Sequence, residues 1–289
     1  MPLAFRVTAK HSRLYHSAAI RDTIKTAIID RLADAGLPAE SETGKQYPQQ
    51  IFVRVIDDAF LISLDSSGPN LYKRGIKTHH GAAPLRETLA NAVLSLAGYD
   101  GSQILLDPMC GTGTFSLEAA MIASRMPAGW HRTFAFMGWP AFSPRQWSYL
   151  KKQAGETIRN IEQPIIFASD ADSGLCEALT QSLASANLAN AVALQCRDFF
   201  TIQPAAEIGG TGLVVLNPPY GRRLGTDRQG GQRMRVIAEK LLSDFHGWQL
   251  ALIVPRRQWL QSLPIKFKTH PLHHGGLHLH LAVGTLPNS

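Results

Sequence analysis

The spacing of apolar residues in the first 70 positions predicts a small α+β unit. Apolar residues at positions 20, 24, 27, 28 and 32 recur at helical spacing, whereas short apolar runs nearby are typical of strands. Strands are expected at residues 5–7, 51–56 and 59–64, and the two-residue turn Asp57-Asp58 joins the last two as a hairpin.

From residue 83 onward, the pattern predicts strands and helices in alternation. Pro84 suits the first position of a helix whose apolar stripe ends before Gly98. Apolar runs then predict strands at residues 104–106, 165–168, 192–196, 213–216 and 249–254, helices at 115–123, 175–186 and 230–245, and a closing antiparallel pair at 265–269 and 277–283. This alternation predicts a doubly wound α/β sheet of Rossmann type.

Residues 125–164 interrupt the alternation with a segment rich in Trp, Phe and Pro. Large aromatic side chains bury much apolar area, so we expect this segment to pack against the sheet. Stacking on nucleobases is the alternative role.

Length and composition narrow the class of protein. With 289 residues, of which 45% are hydrophobic, the chain has room for one large and one small domain. It contains no apolar run as long as a membrane span and no signal-peptide core. The three cysteines, Cys110, Cys176 and Cys196, form no Cys-x-x-Cys pair. We therefore expect neither a zinc site nor a disulfide framework, and a reducing cytoplasm as the location.

Positive charge is concentrated in one part of the sequence. The formal net charge is +7, and residues 222–268 contain ten Lys and Arg but only three acidic residues. The rest of the chain is balanced, with 19 basic and 19 acidic residues. Such segregation predicts a polyanionic partner, nucleic acid, near this stretch.

A stiff polar turn, Asn217-Pro218-Pro219-Tyr220, follows the strand at residues 213–216. Its prolines fix φ and carry no N–H, so the turn offers oxygen acceptors with few competing donors. Asn217 Oδ1 and the Pro218 carbonyl are able to accept both hydrogens of an exocyclic amine, and Tyr220 is able to stack on its ring. The turn predicts a site for a planar ring that carries –NH2; an ordinary Asn-Pro surface turn is the alternative.

A glycine loop, residues 107–114, joins the strand at 104–106 to a helix. Strand, glycine turn and helix form a nucleotide-binding unit, because glycine lets the backbone approach a ligand beneath the helix N-terminus. The loop lacks the third glycine of Gly-x-Gly-x-x-Gly, which argues against a dinucleotide oxidoreductase. Asp170, at the end of the next strand, is expected to reach ribose hydroxyls, and Asp172 to begin the following helix.

These motifs resemble those of a known family. The glycine loop, Asp-Pro-Met-Cys-Gly-Thr-Gly-Thr, is similar to motif I of S-adenosyl-L-methionine (SAM)-dependent methyltransferases, and Asn-Pro-Pro-Tyr resembles the catalytic motif of methyltransferases that act on exocyclic nitrogens of nucleobases. The chain as a whole resembles THUMP-domain RNA guanine-N2 methyltransferases of the ribosomal large-subunit type. The THUMP resemblance is carried by Phe5-Arg6-Val7, Lys10, His16-Ser17, Val53-Arg54-Val55 and residues 62–68.

The resemblance implies the domain organisation. It implies a THUMP-like RNA-binding domain at residues 1–70, a basic linker at 71–82, and a methyltransferase domain at 83–289 whose seven-stranded sheet has an antiparallel last strand. Relatives carry a ferredoxin-like segment before THUMP that this chain lacks. Either that segment has been trimmed or the domain is abbreviated.

The resemblance also implies SAM as cofactor and assigns site residues, with no metal among them. Asp107 is expected to attract the α-amino group of SAM while loop N–H groups meet its carboxylate. Asp198 matches the residue that binds the adenine amino group, with Phe199 beside the ring. The expected catalytic residues are Asn217, Pro218, Pro219 and Tyr220; the cofactor-binding residues are Pro84, Asp107, Met109, Cys110, Gly111, Gly113, Thr114, Asp170, Asp198 and Phe199; the RNA-binding residues are Lys73, Arg74, Arg222 and Arg223.

Two other chemistries fit the sequence less well. Cys110 is a potential nucleophile, but exocyclic amines need no covalent adduct, so we expect it to pack within the loop. His278 and His280 share one face of a predicted strand, yet no carboxylate or Cys lies near them to complete a metal site. The histidines of residues 270–280 are expected to face RNA or solvent.

The expected function is methyl transfer from SAM to guanine N2 of large-subunit ribosomal RNA. Arg222 and Arg223 are placed to donate to guanine O6, whereas a bare adenine edge would leave such donors unpaired. A transfer RNA substrate, adenine-N6 methylation of RNA or DNA, and a non-catalytic RNA-binding module are the alternatives.

Overall fold

A computed structural model of the protein describes residues 3–36, 48–77, 85–219 and 227–288. The chain forms two compact units. One comprises Met1–Leu71 with Arg132–Lys152, and the other Tyr72–His131 with Gln153–Ser289. The predicted site residues Pro84, Tyr220, Arg222 and Arg223 lie outside the described residues.

The first unit contains a three-stranded sheet and a helix, as the sequence predicts. Strand β1 (Leu3–Lys10) is parallel to β2 (Gln49–Ile56), which pairs antiparallel with β3 (Ala59–Leu64). Helix α1 (Ser17–Asp34) packs on one face of this sheet, where Ile20 forms a small core with Ile51, Val53 and Val55. The hairpin turn adopts positive φ at both positions, 49° at Asp57 and 63° at Asp58, which Asp tolerates better than most residues.

The central part of the aromatic insertion, Arg132–Lys152, belongs to the first unit, which corrects the expectation that it packs against the large sheet. Only the ends of the insertion meet that expectation, because Met126 and Ile161 pack against one core of the second unit. The Trp139 indole donates to Gln49 Oε1 at 2.7 Å, and the Phe136 N–H donates to the Ser66 carbonyl at 3.1 Å. The Arg132 guanidinium donates to backbone carbonyls of residues 67, 69 and 70. Polar contacts with residues 49–70 therefore fix the insertion. It includes an unpredicted helix, α4 (Pro144–Gly155).

The second unit is built on a seven-stranded sheet in the order β6-β5-β4-β7-β8-β10-β9. The first five strands in that order are parallel, whereas β10 is antiparallel to both β8 and β9. This arrangement confirms the predicted Rossmann-type sheet with an antiparallel last strand. The strands are β4 (Leu105–Asp107), β5 (Ile166–Asp170), β6 (Val192–Cys196), β7 (Leu213–Leu216), β8 (Gln249–Val254), β9 (Lys268–His274) and β10 (Leu277–Thr285).

Helices cover both faces of this sheet. Successive residues of a strand point to opposite faces, so Leu105 and Val215 join one apolar core while Leu106 and Val214 join the other. Burial on both faces explains why these strands read as continuous apolar runs. The helices are α2 (Glu87–Leu96), α3 (Thr114–Ala123), α5 (Ser173–Ser185), α6 (Pro204–Glu207) and α7 (Asp227–Asp244), with 3-10 turns at Ala189–Ala191, Phe199–Thr201 and Arg257–Ser262.

Several predicted boundaries differ from the structure by one to five residues. Helix α2 begins at Glu87 rather than at Pro84, and β9 begins at Lys268 rather than at residue 265. Strand β9 contains Pro271, which is tolerated because β9 is the edge of the sheet. Among the described residues, no helix combines the length and the apolar content that a membrane span requires.

Candidate active site

The sheet creates a crevice where its strand order reverses. From β4 the chain adds β5 and β6 on one side, then returns to place β7 and β8 on the other side of β4. The loops that follow β4 and β7 therefore diverge at the carboxyl edge of adjacent strands. Ligands of open α/β sheets bind at such a switch point. The glycine loop follows β4 and Asn217 follows β7.

A cavity of about 510 Å³ lies at this edge and brings most of the predicted site residues together. Asp107, Gly113 and Pro218, also predicted, do not border it. Its wall includes the predicted residues Met109, Cys110, Gly111, Thr114, Asp170, Asp198, Phe199, Asn217 and Pro219, and the unpredicted residues Leu85, Pro108, Thr112, Phe115, Ala171, Asp172, Leu175, Phe200 and Arg233.

Asn217 borders this cavity, and its side chain carries a buried acceptor. Its Oδ1 is buried, and within the described part of the chain no donor lies within hydrogen-bonding distance of it. A buried acceptor without a partner costs about 1–3 kcal/mol, so such an atom marks a place where a ligand donor is accommodated. Pro218 is buried and Pro219 half-buried beside it, and neither has an N–H that could occupy Oδ1.

The glycine loop needs both of its glycines. Gly111 has φ +57° and no atom within 4 Å of the place where a Cβ would stand, so its backbone borders open space. Gly113 has φ +72° at the start of α3, and a Cβ there would lie 2.2 Å from Leu179 Cδ1. Gly113 thus permits α5 to pack closely against the loop, whereas Gly111 leaves room for a ligand.

Asp170 ties the glycine loop to the second strand. Its Oδ2 accepts the Gly111 N–H at 2.8 Å, and its Oδ1 accepts the Asp172 N–H at 3.1 Å. Asp172 in turn accepts the N–H groups of Gly174 and Leu175, which confirms its predicted position at the start of α5. The Asp170 carboxylate therefore both borders the cavity and fixes its wall.

Asp107 lies behind the glycine loop rather than on the cavity wall, which corrects the expectation that it faces the cofactor. It is 1% exposed, and its Oδ2 accepts the Ser116 hydroxyl at 2.7 Å and the Ser116 N–H at 3.2 Å. Burial raises the pKa of Asp107 to about 7, against the opposing effect of the Ser116 hydrogen bonds. Its carboxyl group thus anchors the first turn of α3.

Arg74 is also placed differently from the expectation. Its Nε and Nη2 atoms donate to the two carboxylate oxygens of Glu118 at 2.8 and 3.0 Å. The two side chains are only 11% and 2% exposed. This buried bidentate pair fixes the connector, residues 72–77, against α3, and Arg74 is not available for RNA. Lys73, next to it, is exposed.

The wall beyond β6 contains two aromatic residues with different roles. Phe199 is 2% exposed and packs in the core, with its ring centroid 5.9 Å from that of Phe245. Phe200, which the sequence analysis missed, is 38% exposed and also borders the cavity. Asp198 accepts the Phe200 N–H at 2.8 Å, so its carboxylate holds this turn together. The run Asp-Phe-Phe after a strand was the available signal for Phe200.

Two further residues clarify the chemistry. Burial raises the pKa of the Cys110 thiol, the opposite of the shift that activates a nucleophile. Arg233 of α7 borders the same cavity as Asn217, and nothing in the sequence separates it from the other basic residues of 222–268. Among the described residues, no group of three or more His, Cys, Asp or Glu is arranged to hold a metal ion.

The wall of the cavity fits SAM. The open space at Gly111 suits the amino-acid portion of a nucleoside cofactor, and the carboxylate of Asp170 suits its sugar. The unpartnered oxygen of Asn217 suits the group that accepts the methyl. A cavity of this kind, at the switch point of a seven-stranded sheet with one antiparallel strand, defines a SAM-dependent methyltransferase.

Comparison with known families specifies this class further. The model of the RMKL-like methyltransferase domain family matches residues 74–270, more than half of the chain. The chain belongs to that family.

Curated relatives carry names of RNA methyltransferases. A Synechocystis protein with the provisional name RNA methyltransferase slr0064 is 30% identical over 95% of this chain and 71% of its own length. Ribosomal RNA large subunit methyltransferase K/L of Vibrio campbellii is 31% identical over 89% of this chain. The chain spans 37% of the length of that relative.

Solved structures share the fold. A Clostridium difficile 630 protein described as a possible methylase superposes with a TM-score of 0.82 at 26% identity, and the match covers 100% of this chain and 74% of that one. SMU.472, solved with S-adenosyl-L-homocysteine (SAH), superposes with a TM-score of 0.83 at 24% identity over 99% of this chain and 75% of that one. A Listeria monocytogenes protein titled an N6-adenine-specific DNA methylase has a TM-score of 0.78 at 25% identity, over 99% and 74%.

Proposed function

We propose that the protein transfers the methyl group of SAM to an exocyclic amine of an RNA base, and that this amine is N2 of guanine in large-subunit ribosomal RNA. The names of the curated relatives support RNA as the substrate. The observation that carries the proposal is the buried, unpartnered Asn217 Oδ1 at the edge of the cavity that the glycine loop borders.

The proposed mechanism depends on positioning. SAM supplies an electrophilic methyl group. The lone pair of an exocyclic amine is delocalised into its ring, which makes the nitrogen a weak nucleophile. Asn217 Oδ1 and the Pro218 carbonyl accept the two N–H hydrogens, which favours a pyramidal nitrogen and directs its lone pair toward the cavity. The new N–C bond would form as the S–C bond to the methyl group breaks, which leaves SAH. Asn217 has no basic group, so the methylated, cationic amine releases its proton to solvent water after the transfer. The base must be unpaired or flipped out of its helix to reach this site.

For the cofactor, we propose one orientation along the cavity. Asp170 accepts the ribose hydroxyls, and Asp198 and Phe199, with the exposed Phe200 beside them, form the adenine end. The glycine loop, with Gly111 as its most open point, receives the methionine end. In this orientation Asp107 acts indirectly, through the first turn of α3.

The choice between guanine and adenine depends on groups that read the rest of the base. Guanine presents an O6 acceptor and an N1–H donor, whereas adenine presents a bare N1 acceptor. Arg222 and Arg223 are proposed as the donors to O6, and Arg233 supplies a further cation at the same cavity. Adenine N6 is the second candidate, because the Asn217 oxygen suits either amine and the Listeria structural neighbour has an adenine-specific title.

The proposal for RNA binding involves both units. We propose that residues 1–70 form a THUMP-like RNA-binding domain, that residues 83–289 form the methyltransferase domain, and that residues 71–82 link the two. The basic residues between positions 222 and 268 other than Lys240, which is paired with Asp244, provide together with Lys73 the positive charge that attracts the RNA backbone.

Replacement of Asn217 tests the proposal. Asn217→Ala removes the orienting oxygen and is expected to lower the single-turnover rate by roughly 10²-fold or more, while SAH binding measured by calorimetry changes less than about threefold. Asn190→Ala, at an exposed position of a 3-10 turn, is the matched control and is expected to retain the full rate. A near-normal rate for Asn217→Ala would remove Asn217 from the site.

A further inference from the structure

A lysine side chain is buried directly behind the cavity, at the start of α3. The ammonium of Lys77 lies 3.3 Å from Glu87 Oε1 and 3.4 Å from Thr112 Oγ1, and it also donates to Thr114 Oγ1. The Lys77 side chain is 5% exposed. A buried ammonium is costly unless it is paired and hydrogen-bonded, and these contacts satisfy it.

The two threonines connect this charge to the cavity wall. Thr112 and Thr114 both border the cavity, as does Leu85. Thr114 donates its hydroxyl hydrogen to the Leu85 carbonyl at 3.3 Å. Because Lys77 donates to the Thr112 oxygen, the Thr112 hydrogen has to point elsewhere, and no other acceptor for it occurs in the described ranges. Thr112 is thus a donor ready for a ligand.

This end of the cavity is separate from the proposed adenine end. Thr112 and Thr114 follow β4, whereas Asp198 and Phe200 follow β6, two strands away in the sheet order. Thr114 and Phe115, the first two residues of α3, border the same part of the cavity, and a helix N-terminus favours an anion. The Lys77 charge and the Thr112 hydroxyl donor therefore lie where the glycine loop is open.

We propose that Lys77 is a positioning residue for the carboxylate of the cofactor's methionine portion and that it acts through the hydroxyl group of Thr112, while its bond to Thr114 holds the ammonium at the start of α3. Glu87 holds the ammonium in place from α2, so that the connector, α2 and the glycine loop together orient one end of SAM. The inference rests on the orientation proposed above for SAM in the cavity.

Two ligands that differ in the amino-acid portion of the cofactor distinguish a positioning role of Lys77 from a purely structural one. SAH contains the methionine-derived carboxylate, whereas 5′-methylthioadenosine lacks the amino-acid portion. Lys77→Met keeps an unbranched side chain as long as the methylene portion of lysine and removes the charged ammonium group. We expect calorimetry to show SAH binding weakened by roughly 10-fold or more, and 5′-methylthioadenosine binding within about twofold of wild type. Lys240→Met, which removes another largely buried lysine paired with Asp244, is the control and is expected to change neither affinity.

The possible outcomes decide between the alternatives. Equal weakening of both ligands by Lys77→Met, or no change in either, would overturn the inference. If Lys77→Met does not fold, Thr112→Val decides, because it removes the hydroxyl donor and is expected to weaken SAH alone. Asp170→Ala is expected to weaken both ligands. If it changes neither, the proposed orientation of SAM is wrong, independently of Lys77.

Discussion

The Asp170 carboxylate combines two tasks at the scale of a single residue. One oxygen holds the Gly111 N–H at 2.8 Å, and the side chain also borders the cavity where we place the ribose of SAM. A carboxylate that already accepts a backbone N–H is fixed in orientation before the ligand arrives. Such preorganisation lowers the entropy that binding must overcome.

Substitution of Asp170 therefore predicts a loss of cofactor affinity. Asp170→Ala is expected to weaken SAM binding by about 1.5–3 kcal/mol, as for a lost charge-assisted hydrogen bond. Asp22→Ala, at an exposed position on α1, is the control. Calorimetric titration with SAM measures both variants, and an Asp170→Ala affinity equal to that of the control would contradict the assignment.

Asp107 predicts a dependence of stability on pH. Its pKa is raised from the ordinary 3.8 to about 7 in the folded protein, mainly because burial disfavours the charged form. The folded state therefore binds a proton more tightly than the unfolded chain. The resulting stabilisation is complete below the unfolded pKa and is lost as the pH rises through the folded pKa.

We expect the free energy of unfolding to decrease by an amount on the order of 1 kcal/mol as the pH rises from about 6 to about 8. Asp107→Asn keeps the shape and an acceptor for Ser116 but cannot titrate. Denaturant unfolding at both pH values is expected to show a smaller decrease for this variant than for wild type. Identical pH dependence in the two proteins would contradict the burial-driven shift.

Single residues also show which features of the site the sequence predicts and which it does not. Asn217 and Asp170 follow apolar strands directly, so the sequence alone places them at the carboxyl edge of the sheet. Arg74 gave no comparable signal, because its partner Glu118 is 44 positions away in the sequence and is brought close only by packing of the connector on α3. A basic residue next to a polar segment looks like an RNA contact until its ion pair is known.

At the scale of elements, helix α7 packs closely against the side chain of Trp259. A Cβ at Gly230 would lie 2.5 Å from Trp259 Cη2, whereas one at Gly231 would lie 3.8 Å from Trp259 Nε1. The indole therefore packs on the Gly230 backbone. Trp259 and Gly230 also border a small hollow with Pro218 and Pro219. Close packing of α7 thus supports the residues that follow β7.

Neighbouring glycines give a matched test of this packing. Gly→Ala inside a helix stabilises by about 1 kcal/mol when the methyl group has room. Gly231→Ala is expected to raise the free energy of unfolding by about 0.5–1 kcal/mol, whereas Gly230→Ala is expected to lower it by about 1–3 kcal/mol because the methyl group displaces the indole. Chemical denaturation measures the free energy of unfolding of both variants. If both substitutions stabilised the protein, the Trp259 side chain would be able to move away from the added methyl group without loss of stability.

Elements buried on two faces were predictable, whereas the aromatic insertion was not. The strands β7 and β8 have the bounds that their apolar runs predict, because both of their faces are buried. The insertion is rich in aromatic residues that would pack on any apolar surface, so its composition does not identify the surface that it contacts. The place of Arg132–Lys152 in the first unit depends on polar contacts such as Trp139 Nε1 with Gln49 Oε1, and composition carries no information about those partners.

At the scale of the whole molecule, two compact units contribute different properties. All residues that line the cavity belong to the second unit. The family model matches residues 74–270, which lie mostly within that unit. The first unit contributes the small sheet for which we propose RNA binding. The central claim is that the chain uses the Asn217 oxygen to direct the methyl group of SAM to an exocyclic amine of an RNA base.

One measurement tests that claim most directly. The full chain is incubated with methyl-labelled SAM and unmodified large-subunit ribosomal RNA, and the RNA is digested to nucleosides that are separated by chromatography. We predict label in N2-methylguanosine, and labelling that is slower by roughly 10²-fold or more for Asn217→Ala. Label in N6-methyladenosine would overturn the choice of guanine but not the mechanism, whereas label at a carbon or on ribose would contradict the account.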